Sequence, residues 1–161
     1  METAAIPEVR KCAEESFSSG LFCAESVVLA IARAEGVESE LVPKAATAFC
    51  SGMARTCGTC GALTGAIMGV SLALGRSSAK GSVQPSYTAT QQLIRAFEGE
   101  FGSRDCQALL DGCDLNTAEG QAMFKDQKLD RRCLQITGKA AELAARAIVE
   151  NSERTSARDR D

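Results

Sequence analysis

AFCSGMARTCGTCGALTGAIMGVSLALG, residues 48–75, is the stretch whose reading decides the fold. It opens with Cys50, crosses a glycine-rich turn holding Cys57 and Cys60, and continues as an uncharged run with glycines at Gly61, Gly65 and Gly69. That i, i+4, i+8 spacing places the three glycines on one ridge of a helix over Cys60 to Leu74, where missing side chains let another helix come close. Each glycine costs about 1 kcal/mol in helix propensity, so this helix is expected at the centre of the fold, where close packing offsets the cost. Thr56 to Gly75 carries no charge over about the length a spanning helix needs. Gly58, Thr59 and Gly61 leave its apolar part too short, and the expectation is a buried helix with no membrane span.

Working outward, helical periodicity recurs on both sides. Pro7 suits a first helical turn, followed by Val9, Cys12, Ala13 and Phe17 at helical spacing until Ser18-Ser19-Gly20. A second helix runs from about Leu21 to Ala34, with Cys23 in its first turn and Gly36 as its C-cap. A third begins near Glu38 and ends at Ser51-Gly52, tolerating Pro43 only in its first turn. Beyond an exposed loop after Gly75, a fifth helix from about Ser86 carries Tyr87, Leu93, Ile94, Phe97 and Phe101 as an aromatic stripe, closed by Gly102. A short helix over Arg104 to Leu110, another capped by Asn116 or Thr117, and a long one after Asp130 complete the pattern. No window alternates as a strand would. The prediction is an all-α, compact single-domain helical bundle of about six or seven helices around the glycine-striped one: one domain over residues 1–150, then a polar frayed tail over 151–161.

At 161 residues the chain is long enough for its own core. A net charge of −3 with mixed signs gives no reason to expect a nucleic-acid partner. The N-terminus lacks the basic-then-apolar pattern of a secretory signal, which points to a cytoplasmic location, where thiols stay mostly reduced. Eight cysteines and no histidine are then the informative numbers. Cysteine in that setting reads as metal binding or redox chemistry more often than as structural disulfides. Without histidine there is no Cys2His2 zinc site and no histidine-activated nucleophile, and Gly61 after Cys60 rules out haem attachment. The glycine-rich turn is not followed by Gly-Lys-Ser/Thr, so nucleotide binding is not expected.

The cysteines fall at helix starts. Ser103 reads as an N-cap three residues before Cys106, Asp130 as one before Cys133, and Gly20 stands three before Cys23. Cys57 and Cys60 repeat the offset. Cys23, Cys60, Cys106 and Cys133 are thus expected in the first turns of four helices, where unpaired amides and partial positive charge favour thiolate and lower a cysteine pKa. Four converging first turns would suit an iron-sulfur cluster, which takes four cysteine ligands tuned by amides donating to its sulfurs. Each cysteine also has a plain reading as a small buried hydrophobe, preferred for Cys12 and Cys113. Cys57-Gly-Thr-Cys60 separately reads as a CxxC dithiol at a helix start, although no strand-helix-strand pattern supports a thioredoxin-like domain. A structural zinc site would want a second close pair, and Cys106 to Cys113 is too widely spaced.

Cys60-Gly61-Ala62-Leu63-Thr64-Gly65 resembles the Cys-Gly-Ala-x-x-Gly motif of the redox-active C_GCAxxG_C_C family. Gly20-Leu-Phe-Cys23-Ala-Glu-Ser-Val-Val-Leu is similar to that family's upstream cysteine segment, and Phe101-Gly-Ser-Arg-Asp-Cys106 and Cys133 to its two downstream cysteines. The likeness covers about Phe17 to Ala145. It implies a small all-α redox protein with four functional cysteines, often encoded near transporter genes. A related domain of split-Soret cytochromes is associated with an iron-sulfur centre. The carried-over positions are Cys23, Cys60, Cys106 and Cys133, and the chain adds Cys12, Cys50, Cys57 and Cys113 to that minimum.

Three functions follow as expectations. The first is an electron-transfer protein holding an iron-sulfur cluster through Cys23, Cys60, Cys106 and Cys133, with an unidentified redox partner. The second is a dithiol-disulfide oxidoreductase or thiol sensor, with Cys60 as the catalytic nucleophile and Cys57 as its resolving partner. The third is a non-catalytic metal-binding domain or a helical domain accessory to a transporter.

Overall fold

The computed structural model describes residues 1–158, with side chains through Glu153. Its helices are α1 (Ile6–Ser18), α2 (Cys23–Ala34), α3 (Leu41–Ala46), α4 (Gly61–Leu74), α5 (Gln84–Phe101), α6 (Cys106–Leu109), α7 (Ala118–Asp126) and α8 (Asp130–Arg158). The chain is all-α; among the described residues the only β-type pairing is an isolated antiparallel bridge between Thr59 and Asp105. The short α3, α6 and α7 each fall within a stretch expected to be helical.

The glycine ridge of α4 faces α2. A Cβ added at Gly65 would stand 2.7 Å from the Cα of Ala24, and one at Gly69 would overlap Ile31. At Gly61 it would overlap the Cys23 sulfur and lie 2.9 Å from the Phe49 carbonyl oxygen. The stripe therefore lets α2 and α4 pack backbone to backbone, and it brings the start of α2 onto the start of α4. α8 packs along α1, α2, α4 and α5, which places alanines and Ile136, Ile148, Leu63, Leu93 and Phe97 in one buried core. No described helix is long and apolar enough to cross a membrane.

Three local expectations shift. The buried face of α5 is Ser86, Ala89, Leu93 and Phe97, so Tyr87, one residue off that three-and-four spacing, is 58% exposed. The helix expected from near Glu38 to Ser51-Gly52 is divided, with α3 giving way to a 3-10 turn over Thr47–Phe49. There the Thr47 hydroxyl donates to Glu25 Oε1 of α2 at 2.6 Å, tying the chain to its neighbour. α8 continues through Asn151, which is buried and donates through Nδ2 to Gln92 Oε1 at 2.7 Å. The end of the tail expected to fray, residues 159–161, lies outside the described residues.

The segment between Cys50 and Arg55 was not foreseen. Ser51, Gly52, Met53, Ala54 and Arg55 have φ of 55°, 66°, 60°, 54° and 68°, one turn of left-handed helix. Non-glycine residues adopt this conformation singly as a rule, at roughly 1–2 kcal/mol each. The turn is tied down where it ends: the Thr56 hydroxyl donates to the Met53 carbonyl at 2.8 Å and the Gly58 amide to the Gly52 carbonyl at 3.0 Å.

Candidate redox site

Cys60 is the N-cap of α4, held extended at φ −53°, ψ 130°. Its amide donates to the Arg104 carbonyl at 2.8 Å, and the Cys106 amide donates to the Gly58 carbonyl at 3.0 Å. These two bonds flank the Thr59–Asp105 bridge. Since side chains alternate across an extended pair, Cys60 and Cys106 project to the same face, opposite Thr59 and Asp105. A pairing between residues far apart in sequence thus sets the first two thiols side by side.

Cys106 is the first residue of α6, whose N-cap is Asp105: Asp105 Oδ1 accepts from the Ala108 amide at 3.0 Å. The cap expected at Ser103 moves because the bridge keeps Asp105 extended, so the helix cannot start earlier; Ser103 instead accepts from the Asp105 amide at 3.0 Å. Cys23 likewise directly follows its N-cap, Phe22, whose amide donates to Glu25 Oε2 at 2.8 Å, while Gly20 serves the preceding turn at φ 111°. Cys133 sits in the first turn of α8, its amide donating to the Leu129 carbonyl at 3.0 Å.

Cys23, Cys60, Cys106 and Cys133 all line one cavity of about 400 Å³. Its walls are largely apolar, from Phe17, Leu21, Phe22, Leu109, Leu110, Leu115, Phe124 and Ile136, and Arg55, Gln121 and Asp130 add polar groups. The left-handed turn contributes Ser51 and Arg55. Its Gly52 lies against Cys106, where an added Cβ would be 2.6 Å from Cys106 Cβ and 3.1 Å from Sγ.

The electrostatics run against the expected lowering. Burial pushes the Cys60 thiol up to about 12, with Cys106 next in effect, although the Ala62 and Leu63 amides pull the other way. Burial also raises Cys133 to about 12, helped by Cys60 and Cys106. Cys106 is raised to about 11 by burial and then by Asp105. The helix-end amides act as anticipated on Cys60, but desolvation is larger. Cys60, Cys106 and Cys133 are therefore held as thiols at neutral pH in the metal-free protein. A metal or cluster would displace those protons on binding.

The four additional cysteines divide. Cys113 is buried and its thiol donates to the Gly120 carbonyl at 3.1 Å; the Cys12 sulfur accepts from Arg33 Nη1 at 3.6 Å. Cys57, at φ 57°, turns its thiol to Asp114 Oδ1 at 3.3 Å and is absent from the cavity lining. Cys50 is buried against Ala24, Val28 and Ala46, and its thiol meets that of Cys23, which with burial raises its pKa. Sequence spacing carries no hint of that contact, since Cys23 at the start of α2 and Cys50 beyond α3 are brought together only by tertiary packing. Asp114 as the partner of Cys57 was equally hidden.

No three cysteine, aspartate or glutamate side chains among the described residues converge closely enough to hold a single metal ion. All eight cysteines are free thiols.

The model of the family described as "Putative redox-active protein (C_GCAxxG_C_C)" matches residues 21–147. No curated protein and no solved structure matches the chain at a significant level. With the match spanning most of the sequence and containing all four cavity-lining cysteines, the chain belongs to the C_GCAxxG_C_C family of redox-active proteins.

Proposed function

We propose that this redox protein binds an iron-sulfur cluster through Cys23, Cys60, Cys106 and Cys133 and exchanges electrons with a partner protein. The observation that carries the reading is that these four thiols, from the starts of four helices, line one cavity. Around a tetrahedral zinc with Zn–S of about 2.3 Å, four sulfurs would crowd within about 4 Å of one another. A cluster spreads its ligands around an inorganic core, which suits thiols that share a cavity without converging on one point. The donor set fits a cluster, and when bound it would supply one-electron chemistry. The chain's own contribution would be to exclude water with the apolar walls and to present the Ala62 and Leu63 amides to the Cys60 sulfur.

The Cys57–Cys60 dithiol has less support, because Cys57 is directed to Asp114 and its thiol is raised by burial and by that carboxylate. Protein purified without oxygen should be brown and contain iron with acid-labile sulfide. Each of Cys23→Ser, Cys60→Ser, Cys106→Ser and Cys133→Ser should reduce both, while Cys57→Ser should not. Colourless protein without iron or sulfide after reconstitution would overturn the assignment, and bound zinc without redox activity would favour the non-catalytic accessory reading.

A further inference from the structure

Cys50 is a buried thiol that the proposed cluster does not use. It is 3% exposed, its thiol lies 3.8 Å from the Ala46 carbonyl oxygen, and Cys23 packs against the same small apolar cluster. Both residues press on the same bare glycine: a Cβ at Gly61 would overlap the Cys23 sulfur and lie 3.0 Å from the Cys50 Cα. Their settings differ in one respect. Cys23 is partly exposed and lines the cavity, whereas Cys50 is behind it among Ala24, Val28 and Ala46. A reagent entering the cavity reaches Cys23, whereas Cys50 is absent from the lining and buried.

We propose that Cys23 and Cys50 form an attacking and resolving pair that closes a reversible disulfide in exchange with a small organic disulfide. The Cys23 sulfur attacks one sulfur of the organic disulfide, forming a mixed disulfide and expelling one thiolate. The Cys50 sulfur then attacks the Cys23 sulfur, forming the Cys23–Cys50 bond and expelling the second thiolate. The two protons lost from the cysteines pass to the two leaving thiolates, so two protein thiols are oxidised while one organic disulfide becomes two thiols. The pairing stands on the geometry of Cys23, Cys50 and Gly61 alone. Its consequence, that oxidation withdraws Cys23 from the cluster, rests on the function proposed above.

The test uses metal-free, fully reduced protein treated with oxidised glutathione, quenched by alkylation and digested with trypsin without reduction. The expected product joins the peptide of residues 12–33 to that of residues 45–55, with fragment ions placing the bond at Cys23 rather than Cys12. In Cys50→Ala and in Cys50→Ser, Cys23 should keep its glutathione about tenfold longer than in the parent. A bond from Cys23 to Cys60 or Cys106, or release of glutathione from both variants at the parental rate, would overturn the pairing. Iron and sulfide are then measured on reconstituted Cys50→Ala. Parental content with no Cys23–Cys50 disulfide in the parent refutes this pairing only, and the disulfide without iron in any variant refutes the cluster only.

Discussion

Two neighbouring segments use glycine in opposite ways. α4 (Gly61–Leu74) is right-handed helix, where glycine is costly, and it carries Gly61, Gly65 and Gly69. The turn from Ser51 to Arg55 is left-handed, where glycine would be free of strain, and only Gly52 among its five residues is glycine. The glycines of α4 are explained by space, since Cβ atoms there would strike Ala24, Ile31 and Cys23 of α2. The strain of the turn is not relieved by its composition. It is imposed by what the turn must reach: Ser51 and Arg55 at the cavity and Gly52 against Cys106. Strain sustained by its surroundings is a common property of functional segments.

The largest effect should come from the helix. Gly65→Ala improves helix propensity by about 1 kcal/mol but forces a methyl group onto the backbone of Ala24, which cannot rotate away. The net loss should be about 3 kcal/mol in urea unfolding, and a neutral result would mean that α2 and α4 do not pack as closely as described. Gly52→Ala comes next, at about 2 kcal/mol. It combines a φ of 66° with a Cβ 2.6 Å from Cys106 Cβ, so iodoacetamide should also modify Cys106 faster. Lost stability with unchanged Cys106 reactivity would separate the turn from the thiol site.

The same contrast explains what could be read from sequence. The stripe was legible because Gly61, Gly65 and Gly69 recur with the period of one helix and report on their own packing. The placement of Cys23, Cys60, Cys106 and Cys133 at helix starts was legible through local signals, even though Asp105 and Phe22 turned out to be the caps, whereas their sharing one cavity depends on tertiary packing. The left-handed turn was not, because Ser51, Met53, Ala54 and Arg55 carry no local preference for positive φ. Nor was the Thr59–Asp105 bridge, which joins segments dozens of residues apart through backbone atoms alone, or the meeting of Cys23 and Cys50. The sign of the thiol shifts was missed for a related reason: helix ends are local, while burial depends on the whole fold.

That sign gives a smaller, pH-dependent effect where the two segments meet, since Cys60 caps α4 and Cys106 lies under the turn. Cys60 and Cys133 are raised from an ordinary value of 9.0 to about 12, and Cys106 to about 11. Between those values the unfolded chain has lost protons that the folded chain retains. Metal-free protein should therefore be fully stabilised by these groups below about pH 9 and lose stability as pH rises towards 12. Cys60→Ser should lessen the loss between pH 9 and pH 10 by about 1 kcal/mol. If urea midpoints fall equally in parent and variant, the Cys60 thiol is not raised.

The smallest effect is the most direct test of handedness, because it makes the same substitution in both segments. Ala54 is exposed with φ 54°, so its methyl group contributes little packing and pays the left-handed cost of roughly 1–2 kcal/mol. Replacement by glycine removes that cost and adds back part of it through the greater freedom of the unfolded chain, up to about 1 kcal/mol. Ala54→Gly should thus stabilise the protein by about 0.5 kcal/mol. Ala73→Gly, in the last turn of right-handed α4, has no strain to relieve and should destabilise it by a similar or somewhat larger amount. Opposite signs in paired urea titrations require a left-handed turn at Ala54; equal signs mean that Ser51 to Arg55 does not hold this conformation in solution.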